Sequence, residues 1–448
     1  MSPTLDAIRE CLEGAVPAVI ATCAPDGTPN VAYLSQVEYV DSVHVALSFQ
    51  FFNKTRENIL ANPQARLLLT HPATAQMYRM SLEYLRTETA GPLFERMKAK
   101  LAGIASHTGM SGVFRLLGAD IYRLLTIEQL SAQPLPAPAP RLSLLSALRV
   151  AVEKLNACSD LASLLEQTLD CLATEFDIPQ ALLLMADVGR ERLYTVASRG
   201  YENSGVGAEI GYGEGVIGVA ARERTPIRIG HMTAEYSYGR AIREAAARGG
   251  LAERLESEIP LPGLPESRSQ LAVPILARGH LLGVLYVESP QDLRFSYDDE
   301  DALVVLAAQL GLHMCALQEA AETPEPAPDS DPARAPAQGR RATVRYYAEN
   351  SSVFLDGDYL IKGVAGSILW TLLQDYVNGG RASFTNRELR VDPRIRLPDL
   401  SDNLEARLIL LERRLVERDA CVRIEKTGRG RFRLAVSRPL ELISTGAD

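Results

Sequence analysis

Cysteine is scarce in this sequence, and the spacing of the few cysteines argues against two kinds of small domain. Six cysteines are scattered over 448 residues, and no two of them form a CxxC pair. Such spacing indicates neither a disulfide framework nor a zinc site built from thiolates. Apolar residues make up 46% of the chain, which is typical of a protein that folds around hydrophobic cores.

Long apolar runs, a basic leader and a nucleotide-binding motif are also missing. No uninterrupted apolar stretch approaches the roughly 20 residues of a membrane span. The opening MSPTLDAIRECLEG contains acidic side chains and lacks the basic segment of a signal peptide. No GxxxxGK[ST] motif is present, so control by ATP hydrolysis is not indicated. With 23% charged residues and a formal net charge of −9, the sequence predicts a cytoplasmic protein.

Two segments rich in proline and alanine divide the sequence. Residues 131–140 (SAQPLPAPAP) and 322–339 (ETPEPAPDSDPARAPAQG) contain almost no large apolar side chains. Segments of this kind act as semi-extended spacers because they cannot bury a core. We therefore predict three folded blocks, at residues 1–130, 141–321 and 340–440.

The first block shows strand and turn patterns followed by a short helix. AVIATC and PNVAYLS flank the Asp-Gly turn of APDGT, which predicts a hairpin, and VHVALSF alternates as a half-buried strand does. NKTRENILANP then predicts a helix capped by Asn53 or Thr55. Lys54, Thr55 and Arg56 consequently fall at the helix N-terminus, where amide groups and the helix dipole favour an anion such as phosphate.

These stretches resemble the FMN-binding split-barrel family of pyridoxamine-phosphate-oxidase-like proteins. DGTPNVAYLS, VALSF and NKTRENILANPQARLLL match the order of elements in that family, over about residues 10–128. The resemblance implies a split β-barrel, a phosphate held by Lys54 and Thr55, and a homodimer with the cofactor between its subunits. The cofactor-binding residues that it implies are Asn30, Tyr33, Ser48, Gln50, Lys54, Thr55 and Arg56.

The resemblance leaves the identity of the cofactor open. FMN is the first expectation, and in related proteins the same barrel holds haem or a deazaflavin. His44, His71 and His107 are available as axial ligands for haem, although a lone histidine is more often structural. No pair of residues in this block has a convincing catalytic spacing, so the sequence assigns no substrate.

The second block begins with helices and continues as strands. Apolar stripes at 144–155 and 161–172 predict two amphipathic helices, and ALLLMA and RLYTVAS predict strands. GEGVIGVAARERTPIRI, SQLAVPILARGHLLGVLYVES and FSYDDEDALVVLAAQLGLHM follow, and together they resemble the GAF family of sensor domains. This resemblance implies an antiparallel sheet with a ligand cup on one face and helices on the other.

More than thirty residues separate RIGHM from SQLAVPI, at the place where GAF domains cover the cup. The candidate ligand contacts there are His231, Tyr236, Tyr238 and Arg240, and a helical lid without a specific ligand is the alternative. Ser296 and Asp299 predict a capping box at the start of the last helix. The apolar stripe of that helix, from Leu303 to Leu317, either covers its own sheet or forms a dimer seam.

The third block contains three helix patterns and a basic hairpin. VAGSILWTLLQDYV, TNRELR and SDNLEARLILLERRLVER predict helices, and VRIEKTGRGRFRLAV predicts a hairpin. Over residues 344–436 this order resembles the winged-helix domain of response regulators. The resemblance implies a third helix in a major groove of DNA and a hairpin on the phosphates. The candidate DNA-binding residues are Arg407, Arg413, Arg414, Arg418, Lys426, Arg429 and Arg431.

The charge of the third block supports DNA binding, whereas the composition of its third helix leaves a protein partner equally open. Residues 384–438 contain thirteen arginines and one lysine against nine acidic residues, a net charge of +5 in an acidic chain. A basic segment of this kind favours phosphate backbones. The third helix also presents Ile409 and Leu410 opposite its expected core face, and these residues suit a protein groove as well as DNA.

Together these patterns predict a multidomain α+β protein with an N-terminal split β-barrel, a central GAF domain and a C-terminal winged helix. The leading hypothesis is a transcriptional regulator that responds to redox state or a small ligand and binds DNA as a homodimer. One alternative is a flavin-dependent oxidoreductase with regulatory appendages. Another is an adaptor whose winged helix binds a protein partner.

Overall fold

The computed structural model shows three folded units. The described residues are 3–12, 14, 16–34, 36–50, 54–107, 115–130, 134–136, 143–230, 259–321, 340–395, 397 and 404–445. Most of the first proline-rich spacer and all of the second lie outside them. The four candidate contacts of the ligand cup, which also lie outside the described residues, are His231, Tyr236, Tyr238 and Arg240.

The first unit, the barrel unit, is a curved antiparallel sheet. Its strands are β1 (Ala18–Cys23), β2 (Pro29–Leu34), β3 (Val37–Asp41), β4 (His44–Phe49), β5 (Gln64–Thr70), β6 (Met77–Glu88) and β7 (Gly118–Gln129). Within the described residues they pair in the order β2-β1-β5-β6-β7-β4-β3. Because the two edge strands, β2 and β3, are separated along the chain by residues 35 and 36 alone, the sheet has to curl until its edges meet.

Apolar side chains at alternate strand positions fill the interior of this sheet. Ile20, Leu67 and Met80 are at most 1% exposed, as expected when one face of each strand points inward. Helix α1 (Lys54–Ala61) packs against β1 and β2. There the buried Asn58 donates Nδ2 to Thr22 Oγ1 at 3.1 Å, which joins the helix to the sheet.

Helix α2 (Pro92–His107) joins the barrel unit to the second unit. Its Met97 lies in a small core with Ala46 of β4, whereas Ala99 belongs to a core of the second unit. Lys100 of the same helix pairs with the buried Glu38 of β3 at 3.1 Å. The helix is therefore anchored on both sides.

The second unit, the middle unit, is an antiparallel sheet with helices on both faces. Its strands are β8 (Ala181–Asp187), β9 (Arg192–Arg199), β10 (Glu209–Gly211), β11 (Ile227–Ile229), β12 (Ser269–Ala277) and β13 (His280–Ser289). In the described residues their order is β10-β9-β8-β13-β12-β11. Its helices are α3 (Leu144–Asn156), α4 (Leu161–Thr174), α5 (Gly215–Glu223) and α6 (Tyr297–Ala321). The core with α3, α4 and α6 lies on one face, and the core with α5 lies on the other.

Helix α6 begins as its sequence predicts. Ser296 and Asp299 form the reciprocal capping bonds, at 2.7 and 3.2 Å. Leu303 and Leu310 are fully buried in the unit's own core, so this stripe covers its own sheet rather than a partner helix. Among the described segments, Tyr297–Ala320 alone is long and apolar enough to cross a membrane by length and composition, and its packing on the sheet accounts for that composition.

The third unit, the C-terminal unit, contains two sheets around a helical core. One sheet consists of β14 (Ala342–Tyr347), β15 (Ser352–Leu355), β16 (Asp358–Ile361) and β20 (Leu440–Thr445), with β20 parallel to β14. The other consists of β17 (Ser383–Thr385), β18 (Val422–Gly428) and β19 (Arg431–Val436), in the order β17-β19-β18. The helices are α7 (Gly363–Gly379), α8 (Asn386–Val391) and α9 (Leu404–Glu417). The predicted three helices and hairpin are therefore present, and the first sheet was not predicted.

Helix α9 packs on two units at once. Leu404 and Leu411 are fully buried, and Ile409 and Leu410 on other faces of the helix are 3% exposed. The helix contacts α7, β16 and β18 in its own unit, and α4 and β9 in the middle unit. One hydrophobic core consequently runs from the middle unit into the C-terminal unit.

Candidate functional site

A small cavity of about 80 Å³ opens inside the barrel unit between β1, β2, β4, β7 and α1. It brings together five of the seven residues predicted to hold a cofactor. These are Tyr33, Ser48, Gln50, Thr55 and Arg56. Asp120 and Tyr122 of β7 also line the cavity, and sequence reasoning missed them because β7 begins 49 residues after the last quoted motif ends at Leu69.

Two polar side chains in the cavity wall have no partner among the described residues. Gln50 is 8% exposed, and neither its Oε1 nor its Nε2 makes a hydrogen bond there. The buried Oγ of Ser48 is in the same condition. Each unmet buried hydrogen-bonding group costs about 1–3 kcal/mol. A carboxamide and a hydroxyl kept in this state indicate a place for a ligand with donors and acceptors of its own.

The side chain of Arg56 is fixed in place by an ion pair and a contact with an aromatic ring. Its Nη1 lies 2.5 Å from Asp120 Oδ1, and the side chains are 15% and 8% exposed. Thr87 donates its hydroxyl to the same carboxylate oxygen at 2.5 Å, and the guanidinium lies over the ring of Phe49 at 4.7 Å. Burial raises the pKa of Asp120 above its ordinary value, against the opposing effects of Thr87 and Arg56. The cavity wall therefore carries a fixed, largely neutralised ion pair.

The predicted phosphate residues are arranged around the start of α1. Asn30 donates Nδ2 to Thr55 Oγ1 at 2.8 Å, which joins β2 to the start of α1, and Thr55 but not Asn30 lines the cavity. Lys54 is 53% exposed and pairs with Glu57 at 3.2 Å. Thr55 lies inside the helix, so its prediction as the helix cap is wrong, and Asn53 lies outside the described residues.

Two of the histidines considered for haem, His44 and His71, do not line this cavity, and the side chain of His107 lies outside what the structure describes. His44 Nδ1 lies 2.9 Å from Asp41 at the turn between β3 and β4. His71 accepts backbone N–H groups in a loop and lies 3.3 Å from Glu10. Among the described side chains that line the cavity, none is a histidine. The described surroundings therefore suit a flavin better than a histidine-ligated haem.

In the middle unit, a buried carboxylate lies on the face that carries α5. Glu288 of β13 is 2% exposed and accepts hydrogen bonds from the Leu264 N–H at 2.8 Å and from the Tyr286 hydroxyl at 3.3 Å. Burial, together with the nearby Glu288, raises the pKa of Tyr201 far above its ordinary value. The sequence signal for this cluster was the glutamate of LYVES, on the apolar-facing side of a strand.

Helix α9 does not present its arginines as predicted. Arg407 pairs with Asp187 of β8 at 2.9 Å, with both side chains 5% exposed, and it lies over the ring of Tyr194 at 4.2 Å. Arg414 is 5% exposed and donates Nε to the Leu360 carbonyl at 3.1 Å. These two candidate DNA-binding residues are therefore buried against protein in the structure, because the helix is covered on both sides.

The other predicted DNA-binding residues divide into two groups. Arg413 donates to the Val196 carbonyl at 2.8 Å, and Lys426 lies 3.2 Å from Asp160, so both contact the middle unit. Arg418 and Arg429 are exposed, and Arg431 is half-buried. The structure therefore places four of the seven against protein in its present arrangement.

A larger cavity, of about 530 Å³, lies between α9, the β18–β19 hairpin and the ends of α4 and α6. Glu405, Ile409 and Glu412 of α9 line one wall. Burial raises the pKa values of Glu405 and Glu412 above their ordinary values. These acidic and apolar side chains of α9 are not those that contact phosphates, whereas Lys426, Arg429 and Arg431 of the hairpin line the facing wall.

Comparison with known proteins identifies two of the three units. The model of the pyridoxamine 5'-phosphate oxidase family matches residues 4–106, and the GAF domain model matches residues 160–314. The chain therefore contains a split-barrel domain of the pyridoxamine 5'-phosphate oxidase type and a GAF domain. No curated protein matches the chain.

Solved structures resemble single parts of the chain. The GAF domain of an Acinetobacter phosphoenolpyruvate-protein phosphotransferase is 24% identical and covers 39% of this chain and 94% of its own, with a TM-score of 0.31. An FMN-binding protein from Syntrophomonas wolfei is 18% identical and covers 28% and 89%, with a TM-score of 0.24. Free methionine-R-sulfoxide reductase from Neisseria meningitidis is 19% identical and covers 41% and 98%, with a TM-score of 0.31.

Proposed function

We propose that this protein is a cytoplasmic regulator that binds FMN in its barrel, responds to redox state or a small ligand, and acts on DNA through a C-terminal winged helix. The observation that carries the proposal is the cavity of a flavin-type barrel in which Gln50 and Ser48 have no described partner. Buried polar groups are normally satisfied, so these two favour a resident cofactor.

The barrel residues suit FMN in two ways. The carboxamide of Gln50 offers a donor and an acceptor side by side, which is what the edge of a flavin ring requires. Thr55 and Asn30, with Lys54 beside them at the start of α1, offer hydroxyl, amide and ammonium groups to a phosphate. Bound FMN would supply one- and two-electron redox chemistry.

The size of the cavity supports a homodimer. The enclosed space is about 80 Å³, whereas pockets for cofactor-sized ligands measure about 300–1,000 Å³. Edge strand β2 presents Tyr33 and Val31, which are 80% and 65% exposed. A second subunit on this strand would enlarge the cavity and cover both side chains.

The C-terminal unit supports a winged helix through the order of its elements. Three helices precede a hairpin that pairs with β17, and the segment is basic in an acidic chain. In this interpretation the hairpin arginines Arg429 and Arg431 contact phosphates. The signal would pass from the barrel through α2 to the GAF domain and then to this unit, by a shift between populated states.

The first test is the absorption spectrum of the purified full-length protein after incubation with FMN. We expect a bound flavin spectrum, and Lys54→Ala/Thr55→Ala should weaken FMN binding by about tenfold or more, since charge-assisted hydrogen bonds are lost. Lys154→Ala/Thr174→Ala is a matched pair in the GAF domain and should leave FMN binding unchanged. A protein that takes up no FMN at all contradicts the proposal.

The DNA-binding part has a separate test. A mobility shift at low salt should weaken as salt rises, and Arg429→Ala/Arg431→Ala should reduce the salt slope by about two. Glu425→Ala on the same hairpin removes an acidic group and should not weaken the shift. A shift that is equal in all variants argues against the hairpin as the contact.

A protein partner for the C-terminal unit is the second candidate. Glu405, Ile409 and Glu412 form an acidic and apolar wall, which favours a protein surface over phosphate. An oxidoreductase with these appendages remains the third hypothesis, and steady turnover of a nicotinamide or of oxygen by the FMN-loaded full-length protein would support it.

A further inference from the structure

Cations of the C-terminal unit are matched by acidic groups of the GAF domain along their contact. Arg407 pairs with Asp187 at 2.9 Å, Arg413 with Glu166 at 3.1 Å, Lys426 with Asp160 at 3.2 Å, and Lys362 with Glu209 at 3.4 Å. In all four pairs the cation belongs to the C-terminal unit and the carboxylate to the GAF domain. The contact is therefore polarised in charge.

Three of these four cations belong to the elements that the proposed function assigns to DNA. Arg407 and Arg413 are on α9, and Lys426 is on the β18–β19 hairpin. The carboxylates that meet them come from α4 and β8 and from the residue that caps α4. The GAF face thus presents negative charges to the surface that would otherwise meet phosphates.

Apolar contacts reinforce the charge pairs. Leu408, Ile409 and Leu410 of α9 are at most 7% exposed. Leu410 lies beside Gly207 of the GAF domain, since a Cβ placed on Gly207 would be in ordinary van der Waals contact with Leu410 Cδ1 at 3.7 Å. Glu417 at the end of the helix accepts a hydrogen bond from Ser204 of the GAF domain. The helix is therefore held along its whole length.

We propose that this face of the GAF domain is a docking surface for α9 and competes with nucleic acid inside the same chain. While α9 is docked, its arginines are engaged by carboxylates and its faces are covered. DNA binding then requires the C-terminal unit to leave the GAF domain. This inference rests on the proposed DNA-binding function, and the experiment is designed to separate the two.

The test changes the GAF side alone, so that every group proposed to touch DNA stays intact. Asp187→Asn/Glu166→Lys removes one partner of α9 and reverses another. Asp187 makes no side-chain capping bond in its own unit, and the Glu166 side chain is 69% exposed. Asp298→Asn/Glu153→Lys changes the net charge by the same amount at exposed positions of α6 and α3 and is the matched control.

Two quantities are measured on the full-length proteins: the radius of gyration from X-ray scattering, and the affinity for a labelled mixed-sequence duplex at low salt. We expect the docking variant to be more extended than the wild type and to bind the duplex about tenfold more tightly, as freed cations release counterions. The control should match the wild type in both measurements.

Three results would overturn the inference. If the docking variant is extended but the wild type binds the duplex equally well, docking does not compete with DNA, and the proposed function stands. If the variant is extended and neither protein binds the duplex, the DNA-binding function fails instead. If neither quantity changes, the docking surface is refuted. Glu166→Lys alone, at an exposed side chain, keeps the test valid if Asp187→Asn impairs folding.

Discussion

The barrel cavity and the contact between α9 and the GAF domain differ in whether their polar side chains have partners. In the cavity, Gln50 and Ser48 are buried without a described partner, whereas Arg407 and Arg413 of α9 are engaged by the GAF domain. Buried hydrogen-bonding groups are normally paired, so Gln50 and Ser48 favour a ligand as their partner. The cations of α9 are instead paired with carboxylates of the same chain.

The largest loss of unfolding free energy is expected when the buried ion pair between Arg407 and Asp187 loses its carboxylate. Asp187→Ala leaves the Arg407 guanidinium without its buried carboxylate, which typically costs about 3–5 kcal/mol. The free energy is measured by urea unfolding, followed through Trp370, which stacks on Tyr346 in the C-terminal unit. Glu166→Ala is the control, since its exposed pair should contribute about 0–1 kcal/mol. Equal losses in both variants would show that the burial of Arg407 is not what matters.

The next prediction concerns Gln50 in the barrel cavity, where a substitution should increase the unfolding free energy. Gln50→Leu replaces an unsatisfied buried amide by an apolar group of similar size, so the cofactor-free protein should gain about 1–2 kcal/mol of unfolding free energy while FMN binding weakens. Gln270→Leu is the matched control, because Gln270 is equally buried but donates to Ser267 at 3.1 Å. That variant should lose stability. A loss in both variants would remove the distinction between the two regions.

A smaller effect depends on pH and belongs to the large cavity beside α9. Burial raises the pKa values of Glu405 and Glu412, so the folded protein holds these protons more tightly than the unfolded chain. Their contribution to stability is full below the ordinary glutamate pKa of about 4.3 and is lost as pH rises through the folded values. Glu405→Gln/Glu412→Gln should therefore be more stable than the wild type at neutral pH and equal to it in acid.

Thermal unfolding at several pH values measures this difference. Asp356→Asn is a useful opposite case, because a hydrogen bond from the Thr343 backbone N–H is the main cause that lowers the pKa of Asp356. That variant should lose stability at neutral pH and regain equality as pH falls. If stability changed with pH in the same direction for both variants, the raised pKa values of Glu405 and Glu412 could not be assigned to burial.

The smallest effect on stability is expected at Lys54. Its side chain is 53% exposed and pairs with the exposed Glu57, so Lys54→Met should change the unfolding free energy by no more than about 0.5 kcal/mol. FMN affinity, measured by fluorescence titration, should nevertheless fall. A change in stability without a change in FMN affinity would place Lys54 outside the phosphate site.

The elements of the barrel and GAF domains were predictable because their signals are local. Alternation in VHVALSF, the Asp-Gly turn and the capping box of Ser296 and Asp299 each depend on a few neighbouring residues, and the structure contains all of these elements. The convergence of Ser48, Gln50 and Thr55 on one cavity followed from the family resemblance. Asp120 could not be predicted, since its position depends on strand pairing across the barrel.

The contacts of the α9 arginines in the third unit could not be predicted from the sequence, for a physical reason. Whether Arg407 meets solvent or Asp187 depends on the packing of two separate units, and no pattern within α9 encodes that choice. The one available signal was the excess of apolar residues, Ile409 and Leu410, on a face expected to be polar. The sequence left open whether these residues meet DNA or protein, and in the structure both are buried against protein. The short β14–β16 strands were missed although Asp356-Gly357 joins β15 to β16 as a two-residue hairpin turn, the same signal that predicted the hairpin of the first block.

The docking of α9 also has a consequence for synthesis on the ribosome. Domains generally fold in the order in which they emerge, at about 5–20 residues per second. The last strand of the GAF domain ends at Ser289 and its final helix at Ala321, whereas α9 begins at Leu404. The acidic face is therefore complete before α9 is translated. A newborn chain would have a receptor for α9 from the moment that the helix appears, and in the proposed regulator this would keep the nascent protein from binding nucleic acid prematurely.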